Sequence, residues 1–163
     1  MSGPAPLKVL FVCMGNICRS PLAEGLFLHL ARERGTLDRY EVDSCGIGDW
    51  HVGHAPDPRS QAVANKNGLV LTGRARRVEV PDDFEQFDLI IPMDQANLRD
   101  LRQLSDPEHH AKIRLMRTWD PEADGEQPEV PDPYYGGPQG FDLMYDMLRR
   151  SCERLLDDLE KTT

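Results

Sequence analysis

The sequence predicts an α/β fold: a single doubly wound domain with a four-stranded parallel sheet flanked by helices. Three observations carry that expectation. The run Leu-Lys-Val-Leu-Phe-Val at 7–12 is almost wholly apolar, as in a parallel strand covered on both faces. Leu22, Ala23, Leu26, Leu30 and Ala31 follow at helical spacing and form one apolar stripe. The same alternation of strand and helix then recurs along the chain with short connections.

Taken in order, Gly15 and Asn16 break the first strand. Ser20 and Pro21 read as the N-cap and first residue of the helix, and Gly35 as its stop. Tyr-Glu-Val-Asp-Ser-Cys at 40–45 is a shorter second strand. Asp57-Pro58 starts a helix that runs through Ala62 and Val63 to Gly68. Residues 87–91 form a buried strand, and Asp94 caps a helix that turns Leu98, Leu101 and Leu104 inward. Residues 113–116 supply the fourth strand. A proline-bearing loop at 119–140 is longer than a compact domain carries without a use. Phe141, Met144, Leu148, Cys152, Leu155 and Leu159 mark an amphipathic C-terminal helix. Residues 1–6 read as a flexible tail and 7–160 as one domain.

Composition narrows the function. The 163 residues suffice for one domain with its own core. A hydrophobic share of 39% and a charged share of 29% belong to an ordinary globular protein. A net charge of −9 argues against nucleic acid or an anionic membrane as partner. It does not exclude a phosphorylated substrate, because the local field of a pocket can oppose the net charge. No apolar run has transmembrane length, and the first residues lack the basic-then-apolar order of a signal peptide, so a cytoplasmic location is expected. The cysteines at 13, 18, 45 and 152 are too few and scattered for a disulfide scaffold. Cys13 and Cys18 have no second cysteine pair, and His51, His54, His109 and His110 lack zinc-site spacing, so neither metal nor cofactor is expected.

The segment Cys13-Met14-Gly15-Asn16-Ile17-Cys18-Arg19-Ser20 carries the chemistry. Attack on a phosphate monoester requires a thiolate, whereas an ordinary cysteine titrates near about 8.5. A helix N-terminus and a nearby cation favour the thiolate, and this segment supplies both. Backbone N–H groups of Met14, Gly15, Asn16, Ile17, Cys18 and Arg19 can form an anion-binding nest that runs into the helix. Arg19 adds a planar guanidinium able to hold two phosphate oxygens. Five residues separate it from Cys13, which lets both ends of the loop face one anion. Ser20 can donate to the thiolate. The alternative is a buried cysteine on a strand-to-helix turn, with Arg19 in a surface ion pair. No Gly-x4-Gly-Lys-Ser/Thr or Gly-x-Gly-x-x-Gly string offers another phosphate cradle.

With Pro21, this segment resembles the signature of the low-molecular-weight protein tyrosine phosphatases. The resemblance extends in order through Asp43-Ser44-Cys45-Gly46-Ile47-Gly48-Asp49-Trp50-His51-Val52-Gly53, Asp57-Pro58-Arg59, Met93-Asp94-Gln95-Ala96-Asn97-Leu98 and Asp132-Pro133-Tyr134-Tyr135-Gly136. It implies a phosphatase loop after the first strand, a phosphocysteine intermediate on Cys13, and Arg19 as phosphate clamp. The substrate implied is a phosphotyrosine-containing protein or a small aryl phosphate, taken by a monomer or weak homodimer.

The leaving group needs a proton donor. Asp-Pro occurs at Asp57, Asp106, Asp120 and Asp132, and each reads equally as a turn or helix start. Asp132 alone lies in the long loop beside paired tyrosines, and the resemblance assigns it the role of general acid. Trp50, Tyr134 and Tyr135 read either as loop anchors or as walls of a slot for a phenol ring. The resemblance makes Trp50 and Tyr134 the walls, sets Asp49 near the rim, and makes Tyr134 and Tyr135 positions that can be phosphorylated. It also implies that Ser44 helps Asn16 hold the loop, that Asp94 lies beneath the pocket, and that Cys18 can form a reversible disulfide with Cys13. Many members carry a histidine where this chain has Gly73, which leaves the support of Asn16 to be found.

Two sister chemistries compete. An arsenate reductase needs further cysteines in mid-chain, and none lies between Cys45 and Cys152. A protein-arginine phosphatase has Thr where Ile17 stands. A binding module that grips phosphate without turnover is disfavoured by the joint presence of Cys13, Arg19 and Asp132.

Overall fold

The computed structural model describes residues 4–134 and 137–161. Of the expected tail, residues 1–3 lie outside that range. The sheet is parallel, with β1 (Leu7–Cys13) between β2 (Tyr40–Gly46) and β3 (Leu89–Pro92). Val9 pairs with Val42 on one side and with Leu89 on the other. Alternate residues of β1 enter different cores. Val9, Phe11 and Cys13 pack with α1 (Arg19–Glu33), whereas Leu10 and Val12 join the opposite cluster. From Val9 on, the strand reads as apolar because neither of its faces meets water, while Lys8 near its start reaches solvent and pairs with Glu41.

Helices cover both faces. With α1 lie α2 (Pro58–Lys66) and the long α5 (Pro138–Lys161), whose Leu148, Cys152 and Leu155 are fully buried. On the other face lie α3 (Asp82–Gln86), which sequence reasoning did not anticipate, and α4 (Gln95–Leu104). The caps follow the local chemistry. Asp57 accepts from the Arg59 N–H at 2.8 Å, and Asp94 from the Asn97 N–H at 2.8 Å. Past the end of α1, Gly35 and Thr36 return N–H bonds to the carbonyls of Arg32 and Ala31. Of the leucines expected inward on α4, Leu98 and Leu101 are buried but Leu104 is exposed.

Two expectations need correction. Ser20 is not the N-cap of α1. The helix starts at Arg19 after Cys18, and the Ser20 hydroxyl is engaged elsewhere. The sheet has three strands rather than four. Residues 113–116 contribute one bridge, Ile113 to Ile90, with the Arg114 N–H on the Ile90 carbonyl at 3.0 Å. A fourth strand covered on both faces would bury Arg114 beside Met116. Instead the chain leaves the sheet for a short 3₁₀ turn, Met116–Trp119. Met116 and Trp119 drop into the core of α1, and the Arg114 guanidinium stacks 4.7 Å from the Trp119 ring.

Asp120 ties the long loop to α5. Its carboxylate is inaccessible to solvent and accepts from Arg150 at 2.9 and 3.1 Å and from Arg117 at 2.9 Å. Burial opposes the charge, but Arg150, the Glu122 N–H and Arg117 outweigh it and hold the carboxyl below its ordinary range. Asp120→Ala should therefore cost about 2 kcal/mol in urea unfolding near neutral pH, since it removes the acceptor the two guanidinium groups share and leaves Arg150 only Glu122 at 3.3 Å and Arg117 only the Glu129 carbonyl at 3.1 Å. A depressed carboxyl stabilises the fold above its unfolded value, so the difference should shrink as pH falls below about 3.9 and through the folded value.

Candidate active site

The order β2-β1-β3 makes the carboxyl end of β1 the point where connections diverge to opposite sides, the usual position of a ligand crevice in such sheets. Cys13 ends β1 there, with its residue only 2% exposed. The chain curls through 14–18 and re-enters helix at Arg19. That curl requires Asn16 at φ 57, an angle that asparagine tolerates better than most residues. Gly46, at the end of β2, allows the loop to come close: a β-carbon there would lie 2.9 Å from the Met14 carbonyl oxygen.

Asn16 is held from three directions. Its Nδ2 donates to Ser20 Oγ at 2.8 Å and to Ser44 Oγ at 3.0 Å, and its Oδ1 accepts the Arg76 N–H at 3.0 Å. The backbone amide of Arg76, three residues after Gly73, thus supports the loop asparagine. The Cys13 sulfur lies 3.0 Å from Ser20 Oγ and accepts the Asn16 N–H at 3.3 Å.

Arg19 is also 2% exposed. Its Nη1 donates to Asp94 Oδ2 at 2.6 Å and to the Val130 carbonyl at 3.0 Å, while Nη2 lies 3.6 Å from Asp132 Oδ2. Burial works against this guanidinium, but the Cys13, Asp94 and Asp132 charges outweigh it and raise its pKa, so it stays charged. Asp94 thus both caps α4 and grips the arginine.

The four Asp-Pro aspartates separate by their partners. Asp120 is buried in its arginine cluster. Asp57 pairs with Arg59 at 3.0 Å. Asp106 precedes a surface 3₁₀ turn, Pro107–Lys112. Asp132 alone lines the crevice of Cys13, with 42% of its side chain exposed and Oδ1 accepting the Tyr134 N–H at 3.0 Å.

That crevice holds about 450 Å³ and is lined by Cys13, Met14, Gly15, Ile17, Cys18 and Arg19. Trp50, His51, Asp132 and Tyr134 complete it. Asn16, Ser20, Ser44 and Asp94 support it from behind. Tyr134 is braced by Arg59, which donates to its carbonyl at 3.0 Å and stacks 5.2 Å from its ring. Asp49 is exposed and does not line the crevice, and Tyr135 lies outside the described residues. His51 escaped sequence reasoning. Its ring covers Gly15, coming within 2.9 Å of where a β-carbon would stand, and lies 6.3 Å from the Tyr134 ring. Its place directly after Trp50, in a stretch already assigned to the rim, was the available signal.

The other thiols are unlike a nucleophile. Burial first, and then Asp57, Cys13 and Asp132, push the Cys18 thiol up to about 12. Burial raises Cys45 and Cys152 as well. All four cysteines are free, and no group of three or more metal-ligating side chains occurs among the described residues.

A buried cysteine and arginine bound into one anion-sized loop, with a carboxyl and aromatic walls across the crevice, define an enzyme of the protein phosphatase class. Residues 8–163 match the family model described as low molecular weight phosphotyrosine protein phosphatase. The pig protein named low molecular weight phosphotyrosine protein phosphatase is 39% identical over 152 residues, covering 92% of this chain and 94% of its own. The crystal structure of a protein tyrosine phosphatase from Entamoeba histolytica, with Hepes in its active site, superposes with a TM-score of 0.90 at 36% identity. That match covers 96% of this chain and 98% of the other. A drosophila arginine phosphatase superposes with a TM-score of 0.86 at 36% identity over 94% and 98% of the two chains. The chain belongs to the low molecular weight phosphotyrosine protein phosphatase family.

Proposed function

We propose that this protein hydrolyses phosphotyrosine, and aryl phosphate monoesters generally, through a phosphocysteine intermediate. The observation that carries the reading is the common crevice of Cys13, Arg19 and Asp132, walled by Trp50 and Tyr134. Loop N–H groups and Arg19 hold the equatorial phosphate oxygens, and the Cys13 thiolate attacks phosphorus opposite the ester oxygen. The P–O bond breaks as the P–S bond forms, and Asp132 gives its proton to the departing phenolate. Water then attacks phosphorus, Asp132 takes its proton, and the thiolate leaves with inorganic phosphate as product. Ser20, within 3.0 Å of the sulfur, can stabilise it at both ends of the cycle. Nothing in these steps calls for a metal or cofactor.

The substrates are phosphoproteins or small aryl phosphates rather than nucleic acid or lipid, and the setting is the cytoplasm, with the chain acting as a monomer or weak dimer. Among the described residues, no helix is long and apolar enough to cross a membrane. The arginine phosphatase reading is weaker here, because Ile17 replaces threonine on the crevice wall and Tyr134 offers a face for an aromatic ring. The arsenate reductase reading is weaker still, since Cys45 and Cys152 are both fully buried. Phosphotyrosine, phosphoserine and phosphoarginine peptides assayed side by side test the reading. The phosphotyrosine peptide should lead by about 100-fold or more in kcat/KM, given that its ring packs between the slot walls, whereas phosphoserine is too short to reach and phosphoarginine, though long enough, has no aromatic ring to pack there. Preference for phosphoarginine would overturn it.

A further inference from the structure

We propose that Glu24 is a positioning residue: through Ser44 it helps hold the Asn16 amide whose other proton directs the Ser20 hydroxyl at the Cys13 sulfur. This rests on the reading of Cys13 as the nucleophile and adds to it a residue that no motif pointed to.

The argument is one of donors and acceptors. Ser44 Oγ lies 3.0 Å from Asn16 Nδ2 and 2.7 Å from Glu24 Oε1. An amide nitrogen only donates, so a lone pair of Ser44 faces Asn16 and its single proton is left for Glu24. The Arg76 N–H, also a donor only, meets Asn16 Oδ1 at 3.0 Å and fixes the amide the same way round. The second amide proton of Asn16 goes to Ser20 Oγ at 2.8 Å. Ser20 thereby keeps its own proton for Cys13 Sγ at 3.0 Å, the Cys45 carbonyl being the longer alternative at 3.5 Å. The bonds run outward from the Asn16 amide, through Ser20 to the sulfur on one side and through Ser44 to a carboxylate on the other.

That anchor is poised. Burial, with the Asp43 charge added, raises Glu24 to about 7, against the Ser44 bond and the Arg76 charge. Arg76 is committed to Asp43 at 3.0 Å and Asp83 at 2.9 Å. Arg74 borders the small cleft that Glu24 shares with Asn16 and Ser44, and His29 and Arg32 border the groove on its other side. Gly73, across the cleft, stands at φ 93 and brings no side chain to pair with the carboxylate. Once protonated, Glu24 can itself donate to Ser44, and the carboxylate no longer draws the Ser44 proton away from Asn16, so the amide loses one of its fixed supports. Order at the sulfur should therefore improve as pH rises through about 7.

The test uses the full chain with Glu24→Gln and Glu24→Ala. Two quantities are followed from about pH 6 to about pH 8, one unit either side of the Glu24 ionisation. One is kcat for p-nitrophenyl phosphate; the other is the rate of Cys13 alkylation by iodoacetamide, located by mass spectrometry. Glu24→Ala should lower both by about tenfold near pH 8, with KM unchanged, as expected for one lost buried hydrogen bond. The wild type should rise across pH 7, and Glu24→Gln, which keeps an acceptor but cannot ionise, should lose that rise. Wild-type kcat and alkylation profiles in both variants would overturn the proposal. So would lowered melting temperatures with an unaltered pH dependence of alkylation, which is what a purely structural role predicts. If the wild type hydrolysed no phosphate ester, the phosphatase reading would fall, while the alkylation rates would still decide the role of Glu24.

Discussion

Replacing Cys13 with serine is expected to lower the hydrolysis of p-nitrophenyl phosphate by about 10⁴-fold or more, while phosphate and vanadate still bind. The surroundings explain why so small a change costs so much. A hydroxyl at this position would sit between Ser20 Oγ and the Asn16 N–H, and neither is a base able to take its proton. The cradle would survive, because Arg19 is held by Asp94 and the Val130 carbonyl rather than by the sulfur. Turnover and oxyanion affinity should therefore separate, the first read by steady-state kinetics and the second by titration calorimetry. Full activity in Cys13→Ser would sink the mechanism.

Asp132→Asn should divide substrates by their leaving groups. Phenyl phosphate, whose phenolate departs reluctantly without a proton, should lose about 10²–10³-fold in kcat. p-Nitrophenyl phosphate, whose leaving group tolerates the charge, should lose much less. A plot of log kcat against leaving-group pKa should be steeper for the variant than for the wild type. Equal losses on every ester would point to another acid. Arg19 keeps Asp94 as partner in the variant, so phosphate binding is not expected to collapse with the rate.

Much of this architecture was legible in the sequence because short-range rules fix it. A strand lying between two others, covered on both faces, needs an apolar residue at nearly every position, and residues 9–12 supply one. Asp57 and Asp94 cap helices because their carboxyls find free N–H groups within three residues. The loop from Cys13 to Arg19 was legible because a buried strand precedes it, a helix follows it, and Gly15 and Asn16 tolerate the turn between. What escaped was decided across the chain. Four aspartates precede proline, and only folding gives Asp120 two arginines and Asp132 a crevice. The fourth strand failed on Arg114, whose side chain has no place on a buried face. Glu24 reads as one more acidic residue on a helix until β2 carries Ser44 to it from twenty positions away.

The segment that bears Asp132 is fastened on both sides. Val130 is joined to Met93 and Arg19, and Tyr134 to Arg59, so only residues 131–133 span the gap between anchors. Many enzymes carry their acid on a flap that shuts over the substrate and is paid for in opening time. A bridge of three residues has little slack with which to swing, so on the proposed mechanism the acid would stand in place before the substrate arrives. On the proposed mechanism the crevice then stays open to the water that completes the cycle once the phenol has left. A mouth that stays open would suit a phosphorylated side chain still attached to a folded protein.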